Sequence, residues 1–305
     1  MPNSIQKITI YSLFVLLSLS CRKELPFKST AQQSRIVVNS LFATDSTLRV
    51  HVSRSSSVMD TANHKVITDA MVEIYNAENT LITTLDYTKE GVYNNVSFYP
   101  SQNEVYHLKI SADGFESVSS SESIPQPVVI VGVDTVSTTN KEGEPILEVS
   151  VHFKDPGNIR NFYLIEMVVI GMMPIDIGGD SLNFRQQERM SSNDPNIETV
   201  NQFIFNGYSN ASDYLILSDK NFDGTTYTLN FSIINWHQWS DSQMTGQIRL
   251  LSTSEAYFNY RKSYEEYVNT QGNPFANPVQ VYSNIENGIG IFAGGTLTTW
   301  DINFK

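Results

Sequence analysis

The sequence is short of cysteine, of basic residues and of long apolar runs, and each shortage closes off a class of function. Cys21 is the only cysteine among 305 residues, so an intrachain disulfide and a multi-cysteine metal site are both excluded. Lys and Arg number 20 against 32 Asp and Glu, a formal charge of −12. With no basic stripe to release counterions, electrostatic capture of nucleic acid is excluded, and adhesion of the protein body to anionic lipid is disfavoured. Past residue 20 the chain has no run of the ~18 apolar residues that a helical span requires. None of the five histidines lies three to five residues from another, and neither H-E-x-x-H nor G-x-S-x-G occurs, so no zinc site and no serine nucleophile can be read. The carboxylates are scattered without a recognisable catalytic pair, and no enzyme is expected.

What is present begins at the N-terminus. Lys7 precedes an apolar run at 8–20 (ITIYSLFVLLSLS) that ends at Cys21. A helix of this length covers only about 20 Å, short of the ~30 Å hydrocarbon core, so the run reads as a signal sequence. A lone cysteine directly after it, preceded by Ser20, resembles a bacterial lipoprotein processing site, although Leu17 falls one place early and Ser18 holds the position usually taken by leucine. The resemblance implies acylation of Cys21, with an ordinary cleaved secretory signal as the alternative. Removal of residues 1–20 takes Lys7 away and leaves a charge of −13. Residues 22–34 are polar and unpatterned, as a tether would be.

Period-two alternation then takes over, as in RIVVNSLF (35–42), TLRVHVSRS (47–55), DAMVEIYNA (69–77) and EVYHLKISA (104–112), with turn signals every 8–14 residues. This predicts β-sandwich architecture. The serine- and proline-rich SSSESIPQP (119–127) reads as a domain boundary. Further strand patterns follow at 128–138, 145–155, 161–171, 199–206, 226–234 and 246–252, with a long irregular stretch at roughly 171–200 that is a candidate binding loop. The chain length fits about two domains, and 40% hydrophobic content suffices for their cores.

One segment departs from alternation. In STSEAYFNYRKSYEEYVNTQ (252–271), Tyr257, Tyr260, Tyr264 and then Tyr267 and Val268 fall on one face of an α-helix. Ser252 and Glu255 have capping-box spacing, and Gly272 with Pro274 would close the far end. The tyrosine face either packs on a sheet with its hydroxyls at the margin or forms a ligand-stacking platform of Tyr257, Tyr260 and Tyr264.

Three further stretches carry candidate chemistry. DKNFDG (219–224) sets Asp219, Asn221 and Asp223 as the opening of a calcium loop, but its twelfth position is Asn230 where a bidentate Glu is needed, and no helix flanks it. A turn explains the same letters. Trp236, His237 and Trp239 of WHQW (236–239) offer indoles that either stack a sugar or peptide or close the end of a core. YSNIENGIGIFAGGT (282–296) has Gly288, Gly290, Gly294 and Gly295, but the third glycine falls late for G-x-G-x-x-G, and the segment after it is strand-like. Its glycines read as backbone devices: a turn at Asn284, Asn287 and Gly288, Gly290 in a strand, a bend at Gly294 and Gly295, and a close approach to the tyrosine helix.

The segment SEAYFNYRKSYEEY…GNPFANPVQVYSNIENGIGIFAG resembles the C-terminal signature of a Bacteroidota lipoprotein family known as domain of unknown function (DUF) 4249. IVVNSLF, VHVSRS, DAMVEIY, EGVYN, EVYHLKIS, IPQP, DPGNIRNFYLIE and SDKNFDG fit it in order, so the resemblance covers about residues 21–300. It implies an outer-membrane lipoprotein, often found beside TonB-dependent receptors, with no family catalytic residues to carry over. Only Glu24 follows the cysteine closely, where surface-exported lipoproteins carry several acidic residues, which weighs against export and leaves the face of the membrane open. Ala70, Val72, Ile74, Gly91, Tyr93, Tyr106, Leu108, Ile110 and Gly114 also resemble transthyretin-like or carboxypeptidase-regulatory β-sandwiches.

The expectation is therefore a mainly β protein with two β-sandwich-like domains and one conspicuous helix. Residues 1–20 are the signal, 21–34 the lipid-anchored tether, 35–124 the first sandwich, and 125–305 a β-rich domain with a helix at about 253–271. The expected role is a non-enzymatic envelope lipoprotein, an accessory binding or assembly partner of a TonB-dependent receptor in nutrient uptake. A glycan- or peptide-binding adhesin is the alternative and a hydrolase the third reading. No cofactor is expected.

Overall fold

Alternation becomes strand wherever one phase is apolar enough to bury. In β1 (Ile36–Phe42), Ile36, Val38 and Phe42 are buried while Asn39 and Leu41 face out, the pleat placing successive side chains on opposite faces. A computed structural model describes residues 33–56, 65–140, 143–174, 181–198, 211–234, 244–273 and 275–303. Cys21, Trp236, His237 and Trp239 lie outside the described residues, as does the strand expected at 199–206. After β1 come β2 (Arg49–Arg54), β3 (Met71–Tyr75), β4 (Leu81–Lys89), β5 (Val92–Asn94), β6 (Val105–Ser111) and β7 (Val118–Ser123). The remainder comprises β8 (Val129–Thr139), β9 (Pro145–Lys154), β10 (Phe162–Pro174), β11 (Ser181–Glu188), β12 (Met190–Ser191), β13 (Ala211–Ser212), β14 (Leu215–Ser218), β15 (Thr226–Ile234), β16 (Met244–Thr253), α1 (Glu255–Thr270) and β17 (Ile289–Asn303).

The strands form two sheets, so the fold is mainly β, with α1 the single α-helix among the described residues. The larger sheet runs β11-β10-β16-β17-β1-β2-β5-β4-β3-β6-β7, with β14 also on β10; the smaller runs β13-β12-β15-β9-β8. One core gathers Ile36, Val38, Val50, Val52, Ile74, Tyr93, Tyr106 and Leu108 from the N-terminal half. The other packs Val149, Val151, Phe153, Leu229 and Phe231 of the smaller sheet against Tyr163, Ile165, Met167, Ile248 and Leu250. Burying apolar area at about 25 cal/mol per Å² drives both.

β17 belongs to both halves. Its first part, from Ile289 to Gly294, pairs in parallel with β1, and its second part, from Gly295 to Asn303, pairs antiparallel with β16. Phe292 and Ile285 thereby enter the N-terminal core. The division expected at 124/125 falls between β7 and β8, while the last strand crosses it.

Several expectations need correction. The serine run at 119–123, on the N-terminal side of the expected boundary, is itself a strand: it lies in β7 and pairs with β6. Serine's small side chain lets another segment lie over it, and Ser120 Oγ donates to the Asn284 carbonyl at 2.9 Å. The stretch at 171–200 is not irregular throughout, because β10 continues to Pro174 and returns as β11; residues 175–180 lie outside the described residues. Gly294 and Gly295 do not bend the chain but sit within β17, where it changes partner. The glycines approach strand backbone most closely: a Cβ on Gly290 (φ +113°) would meet the Val38 carbonyl oxygen at 1.9 Å. The expected approach to the helix is also made, the Gly294 carbonyl accepting from the Ser254 amide at the helix start at 3.0 Å.

Helix α1 starts two residues later than its capping box implies. Ser252 is held in the β16 ladder, opposite Tyr163 and Thr296. Ser254, in extended conformation, caps the helix by accepting from the Tyr257 amide at 3.4 Å. Gly272 takes φ +76° just past the helix, as a C-terminal stop requires. No helix among the described residues is long and apolar enough to cross a membrane.

Candidate functional site

The helix presents its faces differently from the sequence expectation. Ala256, Phe258 and Glu265 are its buried residues, Phe258 packing on Phe162 with ring centroids 4.9 Å apart. The tyrosines form a row beside that seam. The Tyr257 and Tyr260 rings stack at 6.3 Å with their planes inclined by 27°, and those of Tyr260 and Tyr264 at 6.1 Å with 15° between planes. Tyr257 and Tyr260 flank the contact of Ala256 with Ile291 and Ala293 of β17, whereas Tyr264 is 43% exposed. Only the first two turns of the tyrosine face therefore rest on the sheet. The Arg261 guanidinium lies over the Tyr214 ring, 3.9 Å from its centroid, and 6.0 Å from the centroid of Tyr257. Burial, reinforced by the neighbouring Tyr264 and Tyr257, pushes the Tyr260 phenol up, so its hydroxyl is a neutral donor at physiological pH.

Between this row and the outer face of β1, β2 and β5 lies a cleft of about 740 Å³, within the ~300–1,000 Å³ range of small-ligand sites. Its walls carry Arg49 and His51 from β2, Lys89 from the end of β4 and Asn94 from β5, with Asn39 and Leu41 from β1 opposite Tyr257 and Tyr260. Asn39, Leu41, Arg49 and His51 all fall on the outward phase of their strands, the phase that leaves Val38, Val50 and Val52 to the core. The turn that delivers Lys89 is tight: Glu90 and Gly91 both take positive φ, at 51° and 81°, as a two-residue hairpin of this hand requires. The Ser40 and Thr88 hydroxyls are engaged, donating to the carbonyls of Arg49 and Val92 at 2.7 and 2.9 Å. Asn94 Oδ1 is buried and has no hydrogen-bond partner among the described residues. Of the expected ligand-binding residues the structure brings Tyr257 and Tyr260 to this cleft; Tyr264 stacks on Tyr260 but is not part of the lining. The sequence reading missed Arg49, His51, Lys89 and Asn94, although the i, i+2 spacing of Arg49 and His51 already put them on one strand face.

A second locus surrounds the calcium-loop letters. Asp219 and Asp223 converge not with Asn221 but with Asp155, one carboxylate oxygen of each lying within 4.8 Å of the others. Asn221 is turned away, its amide donating to Asn196 Oδ1 at 2.6 Å. The carboxylates clasp two loops. Asp219 accepts from the Asn161 backbone and side-chain amides at 2.7 and 3.0 Å, Asp223 from the Asn158 amide at 3.0 Å, and Asp155 from the Gly224 amide at 2.7 Å and the Tyr163 hydroxyl. Burial is the main cause that raises the Asp155 pKa, and its two donors work against it. The same burial, with the Asp155 carboxylate beside it, raises Tyr163. The remaining lone pairs could serve a hard cation, which calls for 6–8 oxygens in the case of calcium; each carboxylate also has structural work.

A third grouping is a cross-strand row on the smaller sheet, where His152 Nδ1 lies 2.8 Å from the Thr228 hydroxyl and Nε2 lies 2.9 Å from Asp134. Thr228 and His152 are register partners, and Asp134 is 81% exposed. Such a row can orient an imidazole, but on an open sheet face it has no walls to hold a substrate.

No curated protein matches the chain. A family model described as "Domain of unknown function (DUF4249)" matches residues 22–300. That match spans all of the described strands but the last residues of β17 and includes both the cleft and the acidic clasp, so the chain belongs to the DUF4249 family.

Proposed function

We propose that the protein is a non-catalytic envelope lipoprotein, held in the outer membrane through acylated Cys21, that binds ligand as an accessory or assembly partner of a TonB-dependent receptor in nutrient uptake. The observation that carries the binding role is the cleft between the Tyr257–Tyr260 row and the outward face of β1, β2 and β5. It joins flat aromatic surface, fixed charge and amide side chains in one concavity, which is the composition of a ligand site. Anchorage is supported by the order of signal run, Cys21 and polar tether in the sequence, and the receptor partnership by the family resemblance. Purification from native membranes in mild detergent tests the partnership: a TonB-dependent receptor is expected to co-purify, and recovery of the protein free of any receptor overturns it.

A second reading, a glycan- or peptide-binding surface adhesin, is favoured by the same cleft. Trp236, His237 and Trp239 belong to this reading as further stacking groups. On a glycan and peptide array, Trp236→Ala and Trp239→Ala variants that retain ligand unchanged would dismiss those side chains, while Tyr260→Ala is expected to lose it.

A further inference from the structure

The cleft runs against the charge of the protein. In a chain of −12, its lining has Arg49, Lys89 and His51 and no aspartate or glutamate. Neither Arg49 nor Lys89 forms an ion pair among the described residues; every ion pair found there lies elsewhere. Of the acids around it, Glu166, in the adjoining depression that shares Leu41 and Tyr257, is 3.6 Å from Arg249. Asp45 lines that same depression and Asp86 is the register partner of Asn94, but neither forms an ion pair with Arg49 or Lys89. Two unpaired cations facing a concave surface mark a place for a ligand's negative charge, because a ligand anion supplies the partner the fold omits.

The remaining lining says what body the anion has. Tyr257 and Tyr260 offer stacked ring surface, and Leu41, Val92 and Ile291 add apolar area, which suits the C–H face of a ring. Asn39 and Asn94 present amides, each able both to donate and to accept, as hydroxyls require. A peptide is disfavoured by the floor. β1, β2 and β5 are central strands whose backbone groups are spent on one another, so no free strand edge is available here for the main-chain bonds that an extended peptide uses. Recognition must be by side chains alone. The geometry points to a short acidic oligosaccharide, its carboxylates on Arg49 and Lys89 and its rings along Tyr257 and Tyr260. This inference rests on the cleft being a ligand site and not on the receptor partnership.

Calorimetric titration of the full-length protein in detergent tests it, with oligogalacturonate, oligoglucuronate and oligomannuronate as acidic probes. A neutral galacto-oligosaccharide of equal length and a short polyglutamate peptide serve as comparators. At least one uronate is expected to bind at least tenfold more tightly than the neutral sugar and the peptide, and to weaken as salt is raised. Arg49→Gln and Lys89→Gln should each weaken it about tenfold, the size of one charge-assisted hydrogen bond, while Tyr260→Ala weakens acidic and neutral sugars alike. Both cations are on the surface, so an unchanged melting temperature confirms that the variants fold. Absence of heat with all three uronates overturns the assignment, as does equal affinity for the neutral sugar, tighter binding of polyglutamate, or uronate binding unchanged in the two cation variants. Uronate failure with a co-purified receptor sinks this inference and spares the partnership; uronate binding without a receptor does the reverse.

Discussion

Gly294 of β17 lies so close to Ser123 of β7 that a Cβ built on the glycine would stand 2.2 Å from the serine carbonyl oxygen. The contact locks the strand shared by both halves against the end of the N-terminal sheet, at the point where β17 leaves β1 for β16. Backbone cannot yield there as a flexible side-chain tip would. Gly294→Ala is therefore expected to cost about 3 kcal/mol, at the upper end of overpacking effects, read as a lower urea midpoint. Gly132→Ala in β8, where the nearest atom is 3.7 Å away, should be neutral or stabilising. Equal midpoints for the two variants would show that β7 and β17 are not in contact.

The two serines at the start of α1 make opposite predictions. Ser254 Oγ accepts the Tyr257 amide, so Ser254→Ala should cost about 1 kcal/mol, the usual loss of an N-terminal cap. Ser252 Oγ is buried without a partner among the described residues, so Ser252→Ala removes an unsatisfied polar atom and should cost nothing or stabilise slightly. Chemical denaturation of the two variants checks this, and a larger loss at Ser252 would restore the capping box that the sequence spacing implies.

Much of the fold was legible because its signals are local. The alternation of β1 and β9 and the helical spacing of Tyr257 and Tyr260 each lie within a dozen residues, and each is realised. The serine strand β7 was not legible, because serine favours turns by composition while its pairing with β6 is decided elsewhere in the chain. Half of the cleft escaped for the same reason. Tyr257 and Arg49 line one cleft only because β17 returns to pair in parallel with β1, a pairing between distant parts of the chain that no local pattern announces. The acidic clasp shows a related limit: spacing correctly grouped Asp219 with Asp223, but the third carboxylate, Asp155, comes from a loop 64 positions before Asp219.

Lipid attachment makes a separate prediction about Cys21. In cells fed labelled palmitate, the native protein is expected to take up label and partition with membranes, and Cys21→Ala to lose label and appear in the soluble fraction. Labelling that persists in the variant overturns acylation at this residue, since no second thiol exists in the chain.

Two carboxylates, Asp155 buried and Glu198 half-buried, should tilt stability with pH in opposite directions. Burial raises the Asp155 pKa above its ordinary value despite the Tyr163 and Gly224 donors. Between about pH 4, where the unfolded carboxyl ionises, and that raised value, the folded state holds the extra proton, so its contribution to stability falls as pH rises. Burial also acts on Glu198, but the Lys262 ammonium at 2.8 Å and the Ser218 hydroxyl at 2.7 Å overcome it and leave the pKa lowered. Its stabilising contribution is present above the unfolded pKa and disappears as pH falls through the folded one. Urea midpoints measured from pH 3 to pH 7 separate the two. The native protein should lose ground to Asp155→Asn as pH rises above about 4, and should gain on Glu198→Gln as pH rises toward the unfolded glutamate value of about 4.3, levelling off above it. Parallel pH curves for the native protein and both variants would mean that neither carboxyl changes its proton affinity on folding, and the clasp around Asp155 would then be as wet as an open loop.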